Sequence, residues 1–240
     1  MAIKIKALLL SLISLLGIMQ ARADVTINET NFPDKNFRNY LLWQSYGSDG
    51  VITDAEIAGI TDISVSNRAI RSLKGIEFFT ALTLLDCSYN QLTWLDVSKN
   101  PALTSLDCWF NQLTTLEVSG CTVLRRLMCY QNLIKGRDMD ALVESLPNLK
   151  RGAMHVIWFE NEGNEMTTTQ VAVVRAKGWH PYYTDDGRNW LGYNGSVPSG
   201  IEDLKNSKIE RLMYFDLQGR PVKGTSKRGV YIKDGRKVVR

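Results

Sequence analysis

The sequence predicts an α/β solenoid, in which stacked coils each give one short strand to a parallel sheet, helices are few, and both ends are capped. Three observations predict it. Cys87, Cys108 and Cys129 fall 21 residues apart, each inside the phrase Leu-x-x-Leu-x-Cys-x-x-Asn. Leu82, Leu85, Asn90, Leu92, Leu95 and Val97 return as Leu103, Leu106, Asn111, Leu113, Leu116 and Val118, and a third copy keeps Leu124, Leu127, Cys129 and Asn132. Within a copy, Leu85 and Cys87 alternate with Asp86 and Ser88, the two-residue period of a strand with one face inward. A fixed period of about 20 to 30 residues means stacked units, none of which buries its apolar face until a neighbour covers it.

The elements follow in chain order. Residues 1–23 read as a secretory signal: Lys4 and Lys6, an apolar run from Ala7 to Met19, and Ala21-Arg22-Ala23 as a cleavage site. The run is short for a bilayer span, so the mature chain is expected to begin near Asp24 and to be soluble, secreted or displayed at the outer surface. Residues 24–59 read as a helical N-terminal cap, with Phe37, Tyr40, Leu41 and Trp43 at near-helical spacing over the open end of the first coil. Inside it, Ser45 to Glu56 resembles an EF-hand loop through Asp49, Gly50, Ile52 and Glu56. Ser45 and Gly47 stand where carboxylate ligands are needed, so the loop is degenerate and no metal is expected.

Residues 60–150 hold the coils, beginning with a less regular copy, Ile60, Ile63, Val65, Ile70 and Leu73, whose Asn67 comes one place early. Asn90, Asn111 and Asn132 leave each strand at one position, where a buried amide satisfies backbone groups of the turn and the adjacent coil. Cys87, Cys108 and Cys129 point into the core as small apolar side chains. Their parallel Cβ vectors disfavour the torsion near 90° that a disulfide needs. Cys121, in a turn, is left open as paired or free. Residues 151–191 read as a βαβ-like closing unit: a strand from Met154, a capping box Thr167-x-x-Gln170 opening a helix that Gly178 ends, and a returning strand Trp179 to Tyr183. Residues 192–208 are a Gly, Ser, Pro and Asn linker, and 209–240 a basic tail of strand pairs turned at Gln218-Gly219 and Asp234-Gly235.

The repeats resemble the leucine-rich repeat family, most closely secreted Bacteroidetes-type proteins with cysteine-containing repeats, as in LTSLDCWFNQLTTLEVS. The resemblance covers residues 60 to 150 and implies a curved or gently twisted solenoid that binds by its surface. The tail, with its hydrophobic strand, Leu217-Gln218-Gly219-Arg220 turn and Gly229-x-Tyr231 ending, is similar to the C-terminal sorting segment of type IX secretion. At 32 residues it is shorter than a full sorting domain, and a basic hairpin packed on an acidic body is the alternative.

Charge bears on the partner. Without Lys4, Lys6 and Arg22 the chain has 26 basic and 25 acidic residues, but residues 205–240 carry +8 and residues 24–204 carry −7. An acidic body repels phosphate backbones, which speaks against nucleic acid. Enzymatic readings find no support: His155 and His180 lack spaced partners for metal or nucleophilic chemistry, and His155 reads as a tolerated strand side chain. Asp86 and Asp107 could mimic paired carboxylates, but an open strand face leaves both solvated. No phosphate loop or dinucleotide fingerprint is present, and no cofactor is expected.

Binding is the surviving class. Ser88, Trp109 and Tyr130 stack as equivalent outward positions, flanked by Tyr89, Phe110 and Gln131, with Asp86 and Asp107 beside them. An exposed aromatic stripe on a rigid sheet supplies contact area at low entropic cost. The candidate ligand-binding residues are therefore Trp109, Tyr130, Phe110, Tyr89, Asp86 and Asp107. The expected role is a non-catalytic secreted or surface-displayed module for a host or bacterial surface protein, with a carbohydrate ligand or a structural envelope role as alternatives.

Overall fold

The structure, a computed structural model, describes residues 24–158, 163–184 and 188–196, together with the backbone of four strands near the C-terminus. Residues 1–23, read above as a secretory signal, and most of the stretch read as a linker lie outside the described residues. Strands β1 (Val25–Thr26) and β2 (Val51–Ile52) pair antiparallel, and helices α1 (Lys35–Leu42) and α2 (Asp54–Gly59) follow them in turn. Asp34 caps α1 by accepting from the Asn36 and Phe37 amides, and α1 buries Phe37, Tyr40 and Leu41. Thr53 and Glu56 form a capping box on α2. Phe32 meets Phe37 and Phe78 edge to face, which ties this region to the first coil.

A seven-stranded sheet runs along the coils. In spatial order from its N-terminal edge it contains β3 (Asp62–Ser64), β4 (Leu84–Asp86), β6 (Ser105–Asp107), β8 (Arg126–Met128), β9 (Gly152–Ile157), β10 (Trp179–Tyr183) and β11 (Leu191–Gly192). All its neighbours are parallel except β10 and β11. The register is that of the repeat: Ile63, Leu85, Leu106, Leu127 and Met154 stand opposite one another, and all five are fully buried. Two residues further on, the column Val65, Cys87, Cys108, Cys129 and Val156 is buried as well.

On the other side of the coils, β5 (Trp94–Asp96) and β7 (Thr115–Glu117) form a second parallel pair, with Leu95 and Leu116 inward. Leu95 and Val97 alternate with Trp94 and Asp96, so the same two-residue period that marks β4 recurs within the coil. Helix α3 (Gly136–Ser145) buries Met139, Leu142 and Val143, and α4 (Thr168–Ala176) packs near β10 behind the capping box of Thr167 and Gln170. Strands β12 (Tyr214–Phe215), β13 (Pro221–Val222), β14 (Val230–Lys233) and β15 (Arg236–Val239) make a separate antiparallel sheet in the order β13-β12-β14-β15. Lys233 pairs with Arg236 across Asp234-Gly235.

All four cysteines are free and buried. Cys121, which the sequence left open, stands 21 residues after Asn100, and its Sγ donates to Val97 O at 3.1 Å. Asn100 in the preceding coil donates in the same manner to Ile76 O and Phe79 O. Burial, followed by the charges of Asp96 and Glu117, pushes the Cys121 thiol up to about 12. Burial holds Cys87 and Cys108 above the ordinary thiol range too, so all three stay protonated and inert at neutral pH.

Candidate binding face

The face is positioned by an asparagine spine. Asn90 accepts from the Arg68 and Ile70 amides and donates to Val65 O, Cys87 O and Ser88 O. Asn111 accepts from Leu92 N–H and donates to Cys87 O and Cys108 O. Asn132 accepts from Leu113 N–H and donates to Cys108 O and Cys129 O. Each amide thus clips its own coil to the one before. Asn164 is the fourth member, accepting from Ile134 N–H and donating to Cys129 O and Val156 O. Sequence reasoning missed it because it follows Asn132 by 32 residues rather than 21.

The residue before each ladder asparagine must turn sharply. Tyr89, Phe110 and Gln131 take φ values of 52°, 53° and 55°, and Asn67 takes 54° at the matching place in the first coil. The early position of Asn67 has this cause: it fills the left-handed site, which tolerates asparagine, rather than the ladder site. In the next two coils that site carries Tyr89 and Phe110, which are 46% and 39% exposed. Their rings stack on each other at 4.7 Å, and both meet the Trp109 ring edge to face.

Trp109, Tyr130 and Trp158 continue the row, stacked at 5.1 Å and 4.9 Å. Here exposure departs from the sequence expectation. Tyr130 is only 3% exposed, because Trp158 covers it along the row and Trp190, from the segment entering β11, packs over it at 5.1 Å. Tyr130 is therefore a buried anchor and not part of an open stripe. Ser88 is buried too, its hydroxyl donating to Asp86 Oδ1 at 2.6 Å and lying 2.9 Å from Ser66 Oγ.

Beside the rings, Asp86 and Asp107 stand opposite each other on β4 and β6. Arg126 Nη1 donates to both Asp107 oxygens at 2.8 and 3.0 Å. Burial raises the Asp107 carboxyl and Arg126 works against that rise, so the pair is an internal brace rather than a proton donor and acceptor set. Further along the same outward row, His155 stacks on Tyr182 and meets Trp190 edge-on at 4.3 Å, with Nδ1 buried and unpartnered. Burial, and secondarily Arg126, lower its pKa from 6.5 to about 4, so it is neutral at pH 7.

In the EF-hand-like loop, Glu56 accepts from the Thr53 amide and hydroxyl and Asp49 accepts from Val51 N–H, so both carboxylates have backbone duties. Among the described residues no group of three or more His, Cys, Asp or Glu side chains has metal-binding proximity. None of the described helices is long and apolar enough to cross a membrane.

No protein-family model matches the chain. Over 71 residues it is 37% identical to internalin J of Listeria monocytogenes serotype 4b (strain F2365), a stretch covering 29% of this chain and 8% of that protein. Among solved structures it is similar to the functional domain of InlJ from Listeria monocytogenes, which includes a cysteine ladder, at 32% identity over 48% of this chain and 26% of that one, with a TM-score of 0.43. It is also similar to an internalin, InlF, from Listeria monocytogenes strain 4b F2365, at 18% identity over 79% of this chain and 63% of that one, again with a TM-score of 0.43. The chain spans only a small part of internalin J. That similarity and the stacked coils together support a leucine-rich repeat protein.

Proposed function

We propose that the chain is a non-catalytic leucine-rich repeat module, secreted or held at the bacterial surface, that binds another protein through the open end of its aromatic row. The observation that carries this is the placement of Tyr89 and Phe110. The coil demands a left-handed residue there, and Asn67 shows the inexpensive solution. Bulky aromatic residues in that conformation cost on the order of 1 kcal/mol each. Their mutual stacking offsets part of that cost, yet large areas of both rings face outward. Rigid, exposed aromatics are the side chains that anchor protein interfaces.

A carbohydrate ligand is the second reading, favoured by the carboxylate and guanidinium groups beside the rings. Ring geometry weighs against it, because sugars stack on free ring faces, whereas Trp109, Tyr130 and Trp158 use their faces on one another. A purely structural envelope role remains the third, and it predicts no saturable ligand. Export by the N-terminal signal and sorting by the basic tail belong to the same reading, with the tail packed on the acidic coils as the alternative.

The test is capture of surface proteins by residues 24–240, followed by titration of the captured partner against Tyr89→Ala/Phe110→Ala. The double variant is expected to lose at least about tenfold in affinity, as aromatic anchors do, while keeping a cooperative melting transition. Undiminished affinity, or capture abolished by soluble oligosaccharide, would overturn the protein-binding assignment.

A further inference from the structure

The open end of the row has an unbalanced charge. Asp86 and Asp107 are cross-strand neighbours, a pairing of like charges that costs stability unless a cation joins them. Arg126 answers Asp107 alone. Asp86 Oδ1 accepts from the Ser88 amide at 3.0 Å and the Ser88 hydroxyl at 2.6 Å. Among the described residues no ion pair includes Asp86. Arg68, in the preceding coil, lies 5.0 Å over the Tyr40 ring.

The half-buried Asp86 carboxylate lies in the outward row of β4, between the exposed Leu84 and the turn that carries Tyr89. Leu84, two residues earlier on the same side of β4, is 38% exposed, and the small Ser105 stands opposite it on β6. Three residues after Asp86, beyond Ser88, begins the exposed pair Tyr89 and Phe110. Aromatic rings attract cations, and a carboxylate sheltered by apolar neighbours attracts them more strongly than one in open water. The body that carries this patch, residues 24–204, has a net charge of −7.

Resting on the protein-binding reading above, we propose that the partner presents an Arg or Lys side chain flanked by an apolar one. The cation meets Asp86, and the apolar neighbour packs on Leu84 or on the exposed Tyr89–Phe110 pair. The site selects for a cation because an uncharged side chain would shield Asp86 from water without pairing it.

The test pans a random dodecapeptide phage library on immobilised residues 24–240 and measures the selected peptides on three proteins: wild type, Asp86→Asn and Tyr89→Ala/Phe110→Ala. Asp86→Asn keeps Oδ1 as an acceptor for Ser88, so the turn is retained and an unchanged melting temperature verifies it. The expected result is a pool enriched in Arg or Lys next to an apolar residue, about tenfold weaker on Asp86→Asn, and weakened further by salt. Peptides that need Tyr89 and Phe110 but carry no basic residue, and that bind Asp86→Asn as well as wild type, would overturn the cation site and leave protein binding standing. Peptides indifferent to all three residues would overturn both.

Discussion

The two ends of the aromatic row use neighbouring positions of the coil, Tyr130 two residues before its ladder asparagine and Tyr89 and Phe110 one residue before theirs, and they differ in what covers them. At the C-terminal end Tyr130 lies under Trp158 and Trp190 and is closed off from solvent. At the N-terminal end Tyr89 and Phe110 stack on each other and on Trp109 with nothing over them among the described residues. Trp109 and Tyr130, which are equivalent, differ too, the first half-buried and the second closed off, so sequence equivalence along a solenoid fixes direction but not exposure. One half of the row is packed away, and the other leaves its rings exposed.

The largest effect follows from this division. Tyr130→Ala opens a cavity under Trp158 and Trp190 and is expected to destabilise by about 3 to 5 kcal/mol, as for other buried aromatics. Urea unfolding measures it, and a loss no greater than that of Phe110→Ala would erase the distinction between the ends. Next comes the spine. Asn132→Ala leaves Leu113 N–H without its acceptor and takes one amide donor each from Cys108 O and Cys129 O, which keep Asn111 and Asn164, at about 1 to 3 kcal/mol for the buried N–H left unsatisfied. Asn111, which is less buried, makes the same bonds. Its alanine variant should lose less, because water can reach the freed groups.

These residues also show what was legible in the sequence. The inward positions repeat because every coil meets the same neighbours, so Leu85, Cys87 and Asn90 could be matched to Leu106, Cys108 and Asn111 and the sheet register followed. Asn164 escaped because the coil before it is lengthened to include α3, which breaks the spacing while keeping the hydrogen-bond role. Tyr130 was misjudged for another reason. Its alternation correctly placed it outward, but Trp190 reaches it from 60 residues further along the chain, a tertiary contact that no local period encodes. The left-handed turns at Tyr89 and Phe110 likewise have no local signal, since neither residue favours that conformation; only Asn67 does.

A smaller effect probes the closed end through pH. The folded protein holds His155 neutral, lowering its pKa from 6.5 to about 4 by burial and then by Arg126. Between those values the unfolded chain binds the proton more readily. Stability is thus complete above the window and falls as pH drops through it. The neighbours in contact with His155 are the Tyr182 and Trp190 rings, so protonation weakens the cover over Tyr130. Melting temperature measured from pH 7 to pH 5, above most carboxylate titrations, should decline in wild type and less in His155→Phe, which keeps an aromatic ring. Parallel profiles would remove His155 from the account.

The smallest effect sharpens the open end. Tyr89→Asn relieves the left-handed strain of a bulky residue, a gain on the order of 1 kcal/mol, and gives up stacking with Phe110 and Trp109 worth about the same. The two changes nearly cancel, so the denaturation midpoint should hardly move while affinity for the partner falls. That combination is what a residue kept for an external contact must show. A marked loss of stability in Tyr89→Asn would mean that the aromatic pair serves the fold, and the exposed half of the row would then join the buried half as packing.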